Sequence, residues 1–553
     1  MEQESLIEIR KLKISKYQIW IYISVFLLLS IFMIYSSHIH QKVLYSGDDI
    51  QFHLSRIEGL AENLLHQKWF PKINFFFLYG MGYASPLFYC ELFLYPAAFF
   101  RLIGLSVAQS YILYLILINF CTFLIAYFSF IKIDSVRWKA FLFAFLYGMS
   151  SYRLSDLTER AALGELLALM FLPIAFFGIY QIVKCDRGEW IWLSLGMSGL
   201  ILTHVLTGLI FSIFIVCYLL LNVESLKKRS EKLISLFKAA GSTILLTSFF
   251  IFPLLEQVIN QNFMFQAKPV TYLSDNASTV LNYLGIAFRN NGYNNLGLFM
   301  IVGLVFLGSM YKKLEQVNRQ LILIATGFAF LSTDFFPHKI FDQSIFNALQ
   351  FPWRLFLVVT LCVCWVFASS CDQFFSGKMT VFRFVSGVII GVCILTAAHG
   401  VFLPEEQRKV PHDRLENIQS NHLGWGQEYV PSQLNLSKVI AEPRKIRGQA
   451  DTAVTDVNWG YGEVQFDYET TKESSLVLPY LYYKGYYAVD RVQDREIRVN
   501  SSSEFPGLVE IQLNGRGKIH FFYKETTIQT ISLLMSIVAW ISLVIWFVLM
   551  KRS

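Results

Sequence analysis

The stretch LYSGDDIQFHLSRIEGL, residues 44–60, follows the first long apolar run of the chain and places charged residues where that run ends. Asp49, His53 and Arg56 are spaced by four and then three residues, so they share one face of a helix. A second face carries the apolar residues Ile50, Leu54, Ile57, Ala61 and Leu64. The pattern predicts a helix lying against a membrane, with acid, imidazole and guanidinium groups together on its wet side.

The composition is that of a polytopic membrane protein. Of the 553 residues, 54% are hydrophobic and 16% are charged, whereas soluble domains are roughly 45–50% apolar and about 25% charged. The net charge of +7 does not indicate a nucleic-acid partner, because Lys and Arg lie mostly in short loops between apolar runs, where they report topology. The eight cysteines show neither zinc-binding spacing nor a disulfide framework.

Twelve apolar segments have lengths and compositions that favour membrane helices. They lie near residues 18–37, 108–131, 138–152, 164–183, 189–203, 205–222, 236–255, 294–311, 320–334, 353–371, 381–402 and 529–550. A further apolar run at 86–103 is assigned to a helix at the outer surface. Counting it as a span would put Lys132, Arg137 and Lys139 outside, against the positive-inside pattern. Both termini then face the cytoplasm.

We therefore expect a polytopic α-helical membrane protein of about twelve transmembrane helices, with external juxtamembrane helices and a small extracytoplasmic β-rich domain. Residues 1–401 form the transmembrane domain, whose first external loop is 38–107. Residues 402–528 form a β-sandwich-like domain, and 529–553 carry the last transmembrane helix. Alternating apolar and polar residues predict the strands, and Asn514-Gly515 predicts a hairpin turn between two of them.

On this topology, ionisable residues from at least four separate loops meet at the outer surface, and ionisable residues at membrane depth are functional by default. They are Asp48, Asp49, His53, Arg56 and Glu91 from the first loop, Arg153, Asp156, Arg160 and Glu165 from the second, and His204 and Arg354 at the ends of later helices. Acids can take a proton from a hydroxyl, and arginines can hold phosphate with two parallel hydrogen bonds. The combination favours a site for an anionic, lipid-linked substrate.

Each of these residues also has a purely structural interpretation. Asp48 and Asp49 could cap the surface helix and complement its dipole. Arg153, Arg160 and Arg354 could be interfacial anchors that reach lipid headgroups, and His204 could be a structural polar residue in a tight hairpin. The functional interpretation depends on the joint placement of these residues.

The order of acidic loop, surface apolar helix, membrane helix and second acidic loop resembles the GT-C superfamily of membrane glycosyltransferases. More closely, the chain resembles the bacterial YfhO-like membrane-protein family, also described as pyruvoyl-tetrahydropterin-synthase-related. The segments that carry this likeness are GDDIQFHLSRIEGL, GYASPLFYCELFLYPAAFFRLIGLS, YRLSDLTERAALGELLALMFLPIAFFGIY, THVLT and LQFPWRLF. The likeness covers residues 18–371 and continues weakly to LPYLYYKGYYA in the outer domain.

The resemblance implies roles for particular residues and a GT-C-like fold for residues 1–401. The family's single acid before Phe-His maps onto Asp49, but the neighbouring Asp48 leaves open which of the two is the catalytic base. Glu165 joins them as a catalytic candidate. The implied substrate-binding set is His53, Arg56, Tyr83, Glu91, Arg153, Arg160, His204, Gln350 and Arg354.

The resemblance further implies transfer of a sugar from a polyprenyl phosphate, such as undecaprenyl phosphate, to a polymer of the bacterial cell surface. The acceptor would be a wall polysaccharide or teichoic acid at the outer face of the plasma membrane, and direct displacement would invert the anomeric centre. No cofactor is obligatory, because arginines can supply the positive charge, although a divalent cation remains an option. The alternative is a membrane transporter or lipid-linked-sugar flippase with the same charges lining a path.

The predicted topology can be tested with reporters of membrane sidedness. Reporters at Lys228 and Lys313 should be cytoplasmic, whereas those at Asp156, Ser274 and within 410–520 should be external, because the basic loops alternate along the chain. Accessibility of single cysteines to an impermeant thiol reagent in intact cells would measure this.

A reporter at residue 135 discriminates between the two span counts. It should be cytoplasmic if the run at 86–103 lies at the surface. External labelling at residue 135 would mean that this run crosses the membrane and that the count of twelve is wrong.

Overall fold

The structure is a computed structural model that describes residues 2–35, 43–45, 47–185, 189–227, 229–290, 292, 294–374, 387, 389–394, 409–411, 422–448 and 451–550. The predicted span at 381–402 and the first part of the predicted domain at 402–528 lie largely outside these ranges.

Helices account for most of the described chain. They are α1 (Glu2–Ile34), α2 (Ile50–Leu65), α3 (Ser85–Phe88), α4 (Tyr95–Leu102), α5 (Val107–Ile131), α6 (Arg137–Gly148), α7 (Ser151–Leu157), α8 (Leu163–Lys184), α9 (Trp190–Thr203), α10 (Val205–Leu220), α11 (Val223–Lys227), α12 (Ser230–Asn260), α13 (Met264–Ala267), α14 (Val280–Arg289), α15 (Leu298–Ser309), α16 (Gln316–Leu331), α17 (Phe356–Phe374), α18 (Leu436–Ile440) and α19 (Thr527–Met550).

Six helices in the described part of the chain are long and apolar enough to cross a membrane. These segments are Tyr17–Ile34, Val107–Ile131, Leu163–Lys184, Ser230–Asn260, Pro352–Phe374 and Thr527–Leu549. The protein is therefore a mostly helical, multi-pass membrane protein, which confirms the predicted class. Five further predicted spans coincide with helices of 12 to 16 residues, namely α6, α9, α10, α15 and α16. The count of twelve stays a prediction.

The chain folds into two compact units, each built from three separate segments. Unit 1 comprises Met1–Ile50, Ala108–Ala240 and Thr271–Glu416, and unit 2 comprises Gln51–Val107, Gly241–Val270 and Asn417–Ser553. The described residues of unit 1 are mostly helical and include a short antiparallel pair of strands, β1 (Val43–Tyr45) and β2 (Lys409–Pro411).

Close packing of α8 against α9 organises unit 1, and glycines make it possible. A Cβ on Gly178 would lie 2.1 Å from the backbone nitrogen of Leu193, and one on Gly196 would lie 2.4 Å from Cα of Ala175. Small residues at such crossings let two helix backbones approach within membranes. The pair holds the first turn of α8 and the end of α9 in fixed positions, which matters for the site described below.

In unit 2, the apolar run at 86–103 breaks into α3, a 3₁₀ turn at Leu92–Leu94 and α4. None of these pieces approaches the roughly 20 residues that a spanning helix needs. Helix α2 forms as predicted, but the prediction that His53 and Arg56 face water is wrong. His53 and Arg56 are each only 1% exposed, because the segment that follows α2 covers the face on which they lie.

The C-terminal part of unit 2 forms a seven-stranded antiparallel sheet with the strand order β3-β5-β9-β6-β7, in which β4 also pairs with β5 and β8 with β9. The strands are β3 (Arg447–Gly448), β4 (Thr452–Gly460), β5 (Glu463–Leu481), β6 (Tyr486–Asp490), β7 (Arg495–Ile497), β8 (Val499–Ser501) and β9 (Leu508–Tyr523). The small antiparallel domain is thus confirmed, although its strands join one hydrogen-bonded sheet and not the two sheets that a sandwich implies.

The predicted hairpin turn at Asn514-Gly515 is wrong, because both residues lie inside the long strand β9. Gly515 pairs with Thr470 of β5, at the point where the register between the two strands shifts. Its φ of +78° suits a bulge as well as it suits a turn. The Asn514-Gly515 pair thus has the local preference of a turn, but pairing of this segment with β5 places it inside a strand.

The sheet shares one apolar core with the loop that follows α2. Phe75, Leu78 and Tyr83 from this loop pack in the same cluster as sheet residues such as Phe466 and Phe521. The buried Tyr83 hydroxyl donates to the carbonyl of Leu423 and accepts from the backbone N–H of Tyr429, each at 3.2 Å. Sequence patterning did not indicate this connection between the first loop and the sheet.

Asp490, at the end of β6, is a buried hydrogen-bond centre of the sheet. Its Oδ2 accepts from the hydroxyl of Tyr468 at 2.8 Å, and its Oδ1 accepts from the backbone N–H groups of Val492, Gln493 and Lys518 at 3.0–3.2 Å. Burial alone would raise the pKa of the carboxyl, but these hydrogen bonds together lower it below its usual value.

We expect Asp490→Ala to destabilise the sheet by roughly 3 kcal/mol, because it leaves several buried N–H groups without an acceptor. Asp490→Asn should cost less, since its amide oxygen can still accept those bonds. The stability that the charge contributes is present above the unfolded pKa of about 3.9 and is lost as pH falls through the lowered folded pKa. Thermal unfolding in detergent measures both variants, and equal stability of Asp490→Ala and wild type would contradict the assignment.

Candidate functional site

The site in unit 1 begins where two separate loops touch through their backbones. The N–H groups of Asp48 and Asp49 donate to the carbonyls of Glu159 and Arg160, at 3.3 and 2.9 Å. The contact requires glycine at position 47, because a Cβ there would lie 2.5 Å from both Cβ of Ala161 and the carbonyl oxygen of Thr158. The first acidic loop is thereby fixed against the second, as their joint placement in the sequence led us to expect.

Arg160 is the centre of a buried ion network. One nitrogen of its guanidinium pairs with Asp156, and the other lies 2.9 Å from Oε2 of Glu165. The second oxygen of Glu165 accepts a hydrogen bond from the hydroxyl of Tyr152. The guanidinium also lies over the ring of Trp353, 4.5 Å from its centroid. All five side chains are buried, so their charges interact with little screening by water.

Arg354 approaches the same carboxylate from the start of the segment Pro352–Phe374. Its Nε lies 3.7 Å from Oε2 of Glu165, and its Nη1 donates to the side-chain oxygen of Gln350 at 2.9 Å and to the carbonyl of Leu349 at 3.0 Å. Among the described residues, the buried Nε has no hydrogen-bond partner. Arg354 therefore retains a donor that a ligand could use.

Asp49 lies within the electrostatic influence of Arg160 and Arg354. Its side chain is half-buried, and within the described part of the chain its carboxylate has no hydrogen bond or ion pair. The capping alternative thus finds no support at Asp49. Burial raises the pKa of its carboxyl above the usual value, while the two arginines act in the opposite direction.

Asp156 and His204, which lie outside the spanning segments, also have shifted pKa values. Burial raises the pKa of Asp156, and the neighbouring Glu165 raises it further. His204 is the single residue between α9 and α10, and its Nδ1 lies 2.8 Å from Oγ1 of Thr207. Burial lowers the pKa of His204 to about 4, so its imidazole is neutral at pH 7 and can serve as a hydrogen-bonding group but not as a cation.

Arg153 lies apart from this cluster, although it is only seven residues before Arg160. It is 1% exposed, and its guanidinium donates to the side chains of Asn119 and Thr122 and to the carbonyl of Gly148, at 2.5–3.1 Å. It ties α5 to the end of α6 inside the protein, and this burial does not match an anchor at the lipid headgroups. Its role in substrate binding stays a prediction. The buried Tyr83 contacts the segment 423–429 in unit 2, and its role in substrate binding likewise stays a prediction.

The remaining predicted residues form a second buried cluster, in unit 2. Arg56 donates to the carbonyls of Tyr89 and Cys90 at 2.8 and 3.1 Å, and its Nε lies 3.7 Å from Glu91. Its Nη1 lies 3.4 Å from Nδ1 of His53. Burial raises the pKa of Glu91 to about 7, against the opposing effect of Arg56. Arg56 of α2 and Glu91 of the segment that follows it thus orient one another.

The sequence interpretation did not single out Tyr152 or Trp353 as site residues, although both border Arg160. A tyrosine next to Arg153 and a tryptophan after a proline are ordinary features of membrane-interface loops, so the sequence held no specific signal for them. Within the described ranges, the His, Cys, Asp and Glu side chains form no group of three or more that could hold a metal ion.

Comparisons with known proteins give resemblances to a sequence relative and to a solved structure. An uncharacterised protein of Lactococcus lactis subsp. cremoris (strain MG1363) is 24% identical over 96% of this chain and 94% of its own length. The cryo-EM structure of the mycobacterial arabinofuranosyltransferase AftD matches 69% of this chain at a TM-score of 0.43 and 12% identity. This chain spans about a quarter of that enzyme's length (27%), and a likeness at this level does not assign an activity. No family model matches the chain.

We expect Arg160→Met to destabilise unit 1 by roughly 3–5 kcal/mol, because it leaves the buried carboxylates of Asp156 and Glu165 without their shared counterion. Arg160→Met combined with Glu165→Gln should recover part of that loss by removing one of the two charges. Thermal unfolding of the purified protein in detergent measures both variants.

Arg101 provides the matched control, because its ion pair with Glu58 is similarly short, at 2.6 Å, but partly exposed to solvent. Arg101→Met should cost about 1 kcal/mol or less. If Arg160→Met is no more destabilising than Arg101→Met, the buried network does not contribute to stability as its geometry indicates.

Proposed function

We propose that this protein is a membrane glycosyltransferase of the GT-C type, which moves a sugar from a polyprenyl phosphate to a polymer of the cell surface. The observation that carries the proposal is the half-buried carboxylate of Asp49, which has no hydrogen bond or ion pair among the described residues and lies within the electrostatic influence of the buried cluster of arginines and carboxylates. Such an arrangement combines a proton acceptor with positive charge for an anionic leaving group.

Asp49 is the proposed general base. The oxygen of an acceptor hydroxyl attacks the anomeric carbon of the sugar, and its proton passes to the Asp49 carboxylate. The bond between the anomeric carbon and the phosphate oxygen breaks, and its electron pair leaves with the phosphate. The raised pKa of Asp49 supports this role, because a base is most effective when its pKa lies closer to the working pH. Attack opposite the leaving group inverts the anomeric centre.

Arg354 is the proposed ligand of the leaving phosphate. Arg160 is already engaged by two carboxylates, whereas the Nε of Arg354 has donor capacity left among the described residues. Donors placed where negative charge develops are the main source of stabilisation in such transfers. Arg160 then acts by positioning Glu165 and Asp156, while Glu165 orients Arg354.

The residues at the two ends of α8 favour a site at one face of the membrane and not a transport path across it. Glu165 lies in its first turn and Lys184 in its last, roughly 28 Å apart along the helix, close to the ~30 Å hydrocarbon thickness of a bilayer. Lys184 contacts Asn222, and Lys232 donates to the carbonyl of Val183, so that end of α8 is basic. The positive-inside rule assigns the basic end to the cytoplasm and the acidic cluster to the outer face.

The test compares Asp49→Asn with Asp48→Asn in cells and in purified protein. Asp49→Asn removes the proton acceptor with little change of shape, so we expect transfer of sugar to the surface polymer to fall a hundredfold or more. Lipid-linked sugar should remain bound to the purified variant, as seen by mass spectrometry of co-purifying lipids. The exposed Asp48 is the matched control, and Asp48→Asn should retain most of the transfer.

A second pair of variants examines the phosphate ligand. Arg354→Lys keeps the charge but loses the planar fork of donors, so it should reduce both transfer and the amount of co-purifying lipid. Near-normal transfer by the Asp48→Asn, Asp49→Asn double variant would remove the catalytic assignment. Unchanged lipid binding in Arg354→Lys would remove the donor-site assignment.

A further inference from the structure

Unit 2 contains a large cavity outside the clusters described so far. Its volume is about 810 Å³, within the range of roughly 300–1,000 Å³ that is typical of small-molecule sites. It is lined by the turn at 75–80, by strand ends of the sheet and by the segment 442–445. The cavity is far larger than a phosphate or a metal ion requires, and it suits a short chain of linked rings.

The walls of the cavity are unusually aromatic. Tyr79, Phe76, Trp459 and Tyr461 line it, and Tyr480 forms part of its buried base. Tyr79 is 49% exposed, and Trp459 and Tyr461 are half-buried. The faces of aromatic rings carry partial negative charge, so they attract the weakly positive C–H groups on one face of a sugar ring.

The polar groups of the cavity complement those rings. Glu62, Glu442, Arg444 and Lys445 all border it, and they supply both acceptors and donors for hydroxyl groups. Within the described part of the chain, Arg444 has neither an ion pair nor a hydrogen bond. The buried hydroxyl of Tyr461 also has no partner among the described residues. Buried polar groups are normally satisfied, so the Tyr461 hydroxyl points to a ligand, and the exposed Arg444 at the rim can donate to the same ligand.

The backbone that presents Tyr79 is held in a rarely adopted conformation. Leu78 and Tyr79 have φ values of +58° and +55°, and two consecutive non-glycine residues in the left-handed region are strained. The buried side chain of Leu78 anchors this turn in the core of unit 2. Strain of this kind that is retained by a fold points to a function, and here it places an aromatic ring at the cavity.

We propose that this cavity binds an oligosaccharide segment of the acceptor polymer. Sugars require both flat apolar surfaces and mixed donors and acceptors at the rim, and the cavity supplies both. The assignment of the bound oligosaccharide as the acceptor rests on the proposed function, whereas oligosaccharide binding itself does not. The cavity thereby selects the polymer by its sugars, separately from the chemistry at Asp49.

The experiment measures binding to an array of immobilised oligosaccharides built from neutral hexoses, amino sugars, pentofuranoses and rhamnose. The full chain is used in lipid nanodiscs without any sugar donor, so the result does not depend on catalysis. Wild type should bind a subset of the array. Trp459→Ala and Tyr79→Ala should each weaken that binding at least tenfold.

Trp425→Ala is the matched control, because Trp425 is 71% exposed in the same unit and does not line the cavity. It should bind as wild type does. Arg444→Gln and Glu62→Gln change only polar groups at the rim, so they should also weaken binding and would decide the matter if an aromatic variant failed to fold.

Two results would overturn the inference: no binding by wild type to any sugar of the array, or binding that none of the cavity variants reduces. Retained binding together with undiminished transfer by Asp49→Asn would remove the proposed catalysis and leave this site intact. Absence of binding by wild type, together with the expected loss of transfer in Asp49→Asn, would remove this site and leave the proposed catalysis intact.

Discussion

The double ion pair of Arg160 is the interaction on which the rest of the site depends. Asp156 and Glu165 are almost completely buried, and two carboxylates so placed repel one another unless a cation lies between them. A single guanidinium can satisfy both because its nitrogens form a rigid fork. By joining α7 to the first turn of α8, Arg160 also fixes the intervening loop, whose carbonyls hold the backbone of Asp49.

In this arrangement, the carboxylate of Glu165 is held by neighbouring side chains, whereas the carboxylate of Asp49 is available to a substrate. The ionised oxygens of Glu165 are engaged by Arg160 and Tyr152, so their contribution is to geometry. Asp49 is held by its backbone and not by its carboxylate. Its side chain can therefore change partner during a reaction without dismantling the network that positions it. Gly47 is the residue that permits this, because any larger side chain would push the two loops apart.

Sequence patterning could predict the helices because apolar length alone largely determines a membrane span, and α8, α12 and α17 appear where expected. It could also group Asp49, Arg160, Glu165 and Arg354 in one site. The sequence prediction failed where a segment distant in the chain determines the environment of a residue. His53 and Arg56 became buried through the following loop, and the Asn514-Gly515 pair was drawn into a long strand by pairing with β5. Such contacts between residues far apart in sequence leave no periodic signal.

On the proposed function, the raised pKa values of Asp49 and Asp156 have different consequences. Three carboxylates, those of Asp49, Asp156 and Glu165, face the two guanidinium groups of the cluster, and an arriving phosphate adds further negative charge. Asp156 is fully buried beside Glu165, so protonation there relieves repulsion at the least cost. Asp49 is half-buried, so its charged form loses less hydration than that of Asp156, and Arg160 and Arg354 stabilise that form. Environments that separate the pKa values of neighbouring acids in this way assign one to hold a proton and the other to accept one.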